Sequence, residues 1–258
     1  MSSEVRAQRD GDVAVVTMDR ASRRNAGNLA LWRALADIFA SLAADGTRLA
    51  ILTGAGGHFC AGNDILDYEP VRGDREAEDA WMASIAAAYA AIRGVPFPVV
   101  AAIDGACAGA GCGLAMSCDF RIATRGAYFT VPAARLGILY PVAQTRRLAA
   151  IVGLGNARRW LYGGQKIDAP AAARDGFLDA LTDADPVAAA IEFARPFVDN
   201  APLSIAGAKR MLNALVDGTL DEESEHFARL YREAEDSEDH AEAERAFAQK
   251  RAPRFIGR

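Results

Sequence analysis

The segment Gly105–Asp119, GACAGAGCGLAMSCD, constrains this chain more than any other. Four glycines fall within nine residues, and an apolar run, Leu114-Ala115-Met116, follows them. A glycine inside a helix costs about 1 kcal/mol relative to alanine. Glycines loaded at the start of an apolar helix therefore answer a need for space or for backbone access. Close helix–strand packing that admits no side chain is one such need. The other is approach of a ligand to the main chain, because a helix N-terminus presents unpaired N–H groups and the positive end of the helix dipole. In Gly109-Ala110-Gly111 the N–H groups are the available chemistry. Donors fixed in this way suit an oxygen that gains negative charge during a reaction. The segment alone does not separate the two needs.

The rest of the sequence sets the frame. The chain has 258 residues, 51% hydrophobic and 24% charged, enough for one large domain with a real core. A formal charge of −5 argues against a general nucleic-acid binder, which needs a basic face. Cys60, Cys107, Cys112 and Cys118 form no C-x-x-C pair, and His58, His226 and His240 stand far apart. Small buried thiols in a reducing cytoplasm are expected, with no metal and no disulfide. The N-terminal residues carry no apolar signal core. Gly94–Cys118 holds one charge, Asp104, and reads as a buried strand followed by a buried helix, not as a membrane span.

Strands are expected at 13–18, 49–53, 98–103 and 120–123, with a fifth at 176–181. Helical spacing of Leu31, Leu35, Ile38, Phe39 and Leu42 predicts a helix over 28–44, with Asn28 as its N-cap. Further helices are expected at 76–92 and 143–152. This alternation argues for an α/β core with parallel crossovers. After Asp183 the pattern is all helical: 186–200, 202–217, 220–236 and 238–251. The division is thus a core, 1–183, and a helical region, 184–258. From Asp221 to Lys250 eleven acidic residues face four basic ones, as on a solvated helix face. Phe227, Leu230, Tyr231 and Phe247 give these helices an apolar side that must pack on the core or on a neighbouring subunit.

A dinucleotide fingerprint needs G-x-G-x-x-G. Gly109-x-Gly111 meets Leu114 at the third place, Gly54-x-Gly56 meets Phe59 and Gly153-x-Gly155 meets Arg158, so a nicotinamide cofactor is not expected. A second segment, Leu49–Leu66, is more informative: a strand, a glycine turn, then Ala61-Gly62-Asn63-Asp64-Ile65. Together with Ile103–Asp119 it resembles the crotonase (enoyl-CoA hydratase/isomerase) family. The resemblance runs through Asp19–Ala26, Phe129–Pro132, Leu136-Gly137, Thr145–Leu148 and Ala246–Arg251.

The resemblance implies a crotonase-like (ClpP/crotonase) spiral of ββα units with a C-terminal helical trimerisation region. It implies a homotrimer, or a hexamer built as a dimer of trimers, serving fatty acid metabolism. The substrate would be an acyl-CoA thioester, with CoA as part of the substrate and no separate cofactor. The N–H groups of Asn63 and Ala110 would form an oxyanion hole holding the thioester oxygen and stabilising an enolate. Ala61, Asp64 and Ile65 would line the CoA path beside Ala26 and Gly109. Arg24 would meet CoA phosphates, and Phe247 and Lys250 would reach a neighbour's CoA. Arg24 and Lys250 read equally well as ordinary surface cations.

The chain departs from its hydratase relatives at two places. The glutamates that handle water and the α-proton belong where this chain has Gly113 and Ala133. Neither residue moves a proton, and a positioned acid–base group contributes about 10²–10⁴-fold. Ordinary hydration should therefore be poor, and isomerisation lacks its glutamate too. Gly113 and Ala133 also read as space-makers for a bulky acyl group. Tyr140, in Leu136-Gly-Ile-Leu-Tyr140, resembles a tyrosine of the family's malonyl-type decarboxylases, where a hydroxyl helps hold the departing carboxylate. It reads equally as a tyrosine packed beside Pro141 with its hydroxyl on backbone. His58, Asp67 and Tyr68 are further polar candidates, Asp67 as a base or nucleophile, while Asp64 orients its turn. Two functions remain open: a lyase or isomerase working through the oxyanion hole, or a catalytically weak CoA-thioester-binding oligomer.

Overall fold

A computed structural model describes residues 4–258. Two strands, β1 (Val5–Asp10) and β2 (Val13–Met18), form an antiparallel hairpin. Then follow α1 (Leu29–Leu42), β3 (Leu49–Gly54), the single turn α2 (Ile65–Tyr68) and the long α3 (Arg75–Gly94). Next come β4 (Val99–Ile103), β5 (Ala106–Ala108), α4 (Ala110–Ser117), β6 (Phe120–Thr124) and β7 (Tyr128–Thr130). The core ends with α5 (Val142–Gly163), β8 (Ile167–Asp168), α6 (Ala169–Arg174) and β9 (Ala180–Thr182). The helices α7 (Pro186–Val198), α8 (Pro202–Asp217), α9 (Ser224–Glu235) and α10 (Glu238–Gln249) complete the chain.

The large sheet has the order β1-β2-β3-β4-β6-β9, parallel from β2 onward, and the small sheet has the order β5-β7-β8. Chain order alternates between them. β4 enters the large sheet, β5 the small one, and α4 closes the unit; β6, β7 and α5 repeat it. This is the ββα spiral that the resemblance implied. The central strands are buried on both faces, so they read as unbroken apolar runs. Alternate residues point to opposite faces: Ala50 and Leu52 join the main core with α1 and α3, whereas Leu49 and Ile51 join Ala190 and Ala194 of α7. Thus α7, although it lies beyond the last strand, covers the second face of the large sheet.

α1 starts where expected: Asn28 is its N-cap, Oδ1 accepting from Leu31 N at 2.8 Å. Leu31, Trp32, Leu35 and Phe39 are fully buried, each burial worth about 1.5–3 kcal/mol. The helix expected at 143–152 continues as α5 to Gly163, broken where Gly153 takes φ 73°. The strand expected at 176–181 shrinks to β9, because Phe177 and Leu178 enter the core from a loop. β1 escapes sequence reading because it is an edge strand with only Val5 buried, and β5, β7 and β8 are too short to show a period.

Partly buried ion pairs fasten the C-terminal helices to the core: Arg93 of α3 pairs with Asp217 of α8, and a second pair lies nearby. Lys209 Nζ on α8 reaches Asp119 Oδ2 at 2.7 Å and Phe97 O at 2.9 Å. Their apolar side is only part-covered: Tyr231 is 67% and Phe247 88% exposed. A groove of about 800 Å³ lined by Met211, Phe227, Leu230 and Tyr231 opens among α8, α9 and α10. No helix among the described residues is long and apolar enough to cross a membrane. Replacing Lys209 by alanine strands the Asp119 carboxylate, a change that costs about 3 kcal/mol when such a pair is buried. The melting temperature should fall by roughly 6–12 °C for a chain of this size. An unchanged thermal transition would show that the pair fastens nothing.

Candidate functional site

Residues 60–64 are built into the backbone on both sides. On one side Phe59 N donates to Asp104 O (2.8 Å), Cys60 N to Ala106 O (2.9 Å) and Ala108 N to Cys60 O (2.9 Å). On the other, Ala61 N donates to Arg24 O (3.0 Å), Gly27 N to Gly62 O (2.7 Å) and Asp64 N to Gly27 O (3.0 Å). Three chain segments far apart in sequence thus run side by side. Neither ladder uses the N–H of Asn63, and nothing among the described residues accepts it. The N–H of Ala110, the first residue of α4, is equally without an acceptor, as helix geometry requires.

Gly62 and Gly109 make this juxtaposition possible. Gly62 has φ 103°, and a Cβ there would stand 2.9 Å from Ala108 O and 3.6 Å from Ala110 N. Gly109 has φ 51° and ψ −113°, outside the range of residues with side chains. The other glycines of the opening segment serve packing. A Cβ on Gly111 would lie 2.2 Å from Cys60 O, and one on Gly105 2.2 Å from Gly57 O.

Arg20 and Asn25 hold the site together, and neither was singled out from sequence. The Arg20 guanidinium binds Ala26 O, Asp64 Oδ2 at 3.1 Å and Asp67 Oδ2 at 2.8 Å. Asn25, fully buried with φ 57°, accepts from Arg20 N (2.9 Å) and donates to Ala55 O (2.9 Å) and His58 O (2.6 Å). An Arg-Arg-Asn turn gave a faint signal, since asparagine tolerates left-handed backbone. Asp64, 4% exposed, caps α2 by accepting from Leu66 N (3.1 Å) and Asp67 N (3.4 Å). Its carboxylate therefore faces Arg20 and its own turn. Asp67, weighed above as a base, is committed to the same arginine. His58 Nδ1 accepts from Ala106 N at 3.1 Å, fastening the second segment. The Tyr68 ring packs edge-on against Trp81 at 5.4 Å. The side chain of Ile65 is 64% exposed beside the donor turn. Arg24, also left-handed, is exposed with its guanidinium free among the described residues. Lys250 and Phe247 are exposed at the far C-terminus.

Gly113 is not a space-maker for substrate. Tyr89 of α3 fills the place: a Cβ on Gly113 would stand 2.2 Å from the Tyr89 hydroxyl oxygen. Sequence could not show this, because Tyr89 reaches the site only through tertiary packing. Ala133 is buried at the start of a short 3-10 turn. The hydroxyl of Tyr89 donates to Ala110 O at 2.8 Å, and that of Tyr140 to Gly109 O at 3.0 Å. Burial pushes both phenols well above their ordinary range, so both stay protonated donors. Burial likewise raises the Cys60 thiol to about 12 and pushes the Cys107 thiol well above its ordinary range, so neither supplies a thiolate nucleophile.

On this ββα spiral the turn at Gly62 lies against the start of α4, and the N–H groups of Asn63 and Ala110 have no acceptor among the described residues. The family model for enoyl-CoA hydratase/isomerase matches residues 8–258. The chain is 36% identical over 246 residues to "Probable enoyl-CoA hydratase echA6" of Mycobacterium tuberculosis, spanning 95% of this chain and 96% of that protein. An enoyl-CoA hydratase/isomerase family protein of Hyphomonas neptunium superposes with TM-score 0.93 at 34% identity, over 99% of this chain and 98% of the other. The enoyl-CoA hydratase of Bacillus anthracis superposes with TM-score 0.90 at 28% identity, over 99% and 100%. This chain belongs to the enoyl-CoA hydratase/isomerase family of the crotonase superfamily.

Gly113→Glu should lose stability, because overpacking against Tyr89 costs about 1–3 kcal/mol, and Tyr89→Ala should cost less in the Gly113→Glu chain than in the parent, since the two positions share one space. Thermal melts of the single and double variants check this. A Gly113→Glu protein as stable as the parent would mean that Tyr89 does not occupy the position.

Proposed function

We propose that this protein is an acyl-CoA enzyme that grips the thioester oxygen between the N–H groups of Asn63 and Ala110 and stabilises an enolate there. The observation that carries the reading is the pairing of two amides, both unpartnered, on segments locked together by the backbone. Losing one such donor typically costs about 10²–10³ in rate, or about 2.7–4 kcal/mol. CoA would pass the Ala26, Ala61 and Ile65 turn, with Asp64 contributing main chain and Arg24 available to its phosphates. Assembly of copies as trimers or hexamers would cover the exposed Phe247 side and bring Phe247 and Lys250 toward a neighbour's CoA.

The reaction we favour is lyase-like. Among the described residues no acid stands at 113 or 133, and Asp64 and Asp67 are held by Arg20. Decarboxylation of a malonyl-type thioester fits such a site. The bond from the α-carbon to the carboxylate breaks, CO₂ leaves, and the electron pair moves into the enolate whose oxygen the two amides hold. Solvent then returns a proton to the α-carbon. Tyr140 would grip the departing carboxylate only by releasing Gly109 O. The same lack of a free base, with the site phenols held protonated, favours a second reading: a thioester-binding oligomer with little turnover. A cytoplasmic setting suits four free, buried thiols.

A panel of crotonyl-, malonyl- and methylmalonyl-CoA, followed for binding and turnover, tests the reading. Crotonyl-CoA hydration should run about 10²–10⁴-fold below a relative that has both glutamates, with CO₂ release from a malonyl-type thioester. Replacing the Gly109–Ala110 amide by an ester, through lactic acid at 110, should lower that turnover by about 10²–10³. Tight binding with no turnover would select the binding oligomer. Fast crotonyl-CoA hydration would overturn the lyase reading.

A further inference from the structure

The Ala110 donor is gripped from behind by two tyrosines on separate elements. The Gly109 carbonyl and the Ala110 N–H belong to one planar peptide unit. Tyr140, in the loop before α5, donates its hydroxyl to that carbonyl at 3.0 Å. A carbonyl that accepts a hydrogen bond draws electron density to its oxygen, leaving the N–H of the same peptide more positive and a stronger donor. Gly113 N also donates to Gly109 O, at 3.2 Å, and Gly109 N donates to Thr130 O at 2.8 Å, so the unit cannot turn freely. Tyr89, from α3, donates to the next carbonyl, that of Ala110, at 2.8 Å. Its ring meets Trp32 edge-on at 6.4 Å, and its hydroxyl takes the space left by the missing side chain at 113.

We infer that Tyr140 and Tyr89 are positioning residues for the Ala110 amide. Tyr140 polarises and orients the donor through the shared Gly109–Ala110 peptide, and Tyr89 fixes the first turn of α4 through the Ala110 carbonyl. The inference rests on the thioester reading proposed above. Gly113 and Tyr89 are on this view one device: glycine admits the phenol, and the phenol anchors the helix start in place of an acid.

The test reads the donor directly. A saturated [1-¹³C]acyl-CoA is bound to the whole protein, and its carbonyl stretch is compared with that of the free ligand by isotope-edited infrared difference spectroscopy. The parent protein should shift the band to lower frequency. Tyr140→Phe should reduce that shift by roughly 10–30%, the size of hydrogen-bond cooperativity in condensed phases, and Tyr89→Phe should broaden the band as the donor loses its fixed direction. Site-specific 3-fluorotyrosine at 140, a stronger donor of nearly the same shape, should increase the shift beyond the parent's. That graded response is not expected of a tyrosine that merely packs, and it carries the test even if a phenylalanine variant fails to fold. A parent shift that stays the same in Tyr140→Phe and in the fluorotyrosine protein overturns the inference for Tyr140 and leaves the thioester reading intact. A band unchanged in width in Tyr89→Phe overturns it for Tyr89. A bound ligand with no shift in the parent overturns both the inference and the thioester reading.

Discussion

The three-segment backbone ladder around residues 60–64 is the constraint on which the site depends. Residues 24–27 bond one side and residues 104–108 the other. Two turns from distant parts of the chain are thereby held in fixed register, and two N–H groups are left without acceptors among the described residues. Side chains contribute by bracing the ladder. Arg20 spans Ala26 O and the carboxylates of Asp64 and Asp67, and buried Asn25 satisfies three backbone groups across two turns. A donor pair mounted on hydrogen-bonded backbone needs no reorganisation when charge develops on the oxygen it holds, which is why such pairs act strongly.

The same arrangement explains the poverty of acids and bases. A backbone site is common to every reaction that passes through an enolate, and the reaction is chosen by what stands near the thioester. In this chain the space at 113 is taken by a phenol whose hydroxyl donates to a carbonyl, and the carboxylates of Asp64 and Asp67 are tied to an arginine. On the function proposed above, what remains is polarisation without proton transfer. That combination would favour bond cleavages in which the leaving group carries away its own atoms and solvent supplies the proton.

Much of this was legible in the sequence, and the reasons differ by residue. The central strands and α1 announced themselves by burial pattern, since a strand covered on both faces must be continuously apolar. The two glycine turns were visible because only glycine meets the backbone demands at 62 and 109. The short strands of the small sheet were not legible, since two or three residues carry no period. Tyr89 was hidden for another reason. It lies on a helical face as an ordinary core aromatic would, and only the fold shows its hydroxyl against α4. Gly113 was read as a missing acid and as room for a ligand, yet the space it leaves is occupied by the Tyr89 hydroxyl.

A crystal structure with a bound, unreactive acyl-CoA would test the central claim most directly. The account predicts the thioester oxygen at about 2.7–3.1 Å from both the Asn63 and the Ala110 nitrogen, with the α-carbon facing no carboxylate. A thioester carbonyl seated elsewhere, or gripped by an ionisable side chain while these two amides point into empty solvent, would contradict it.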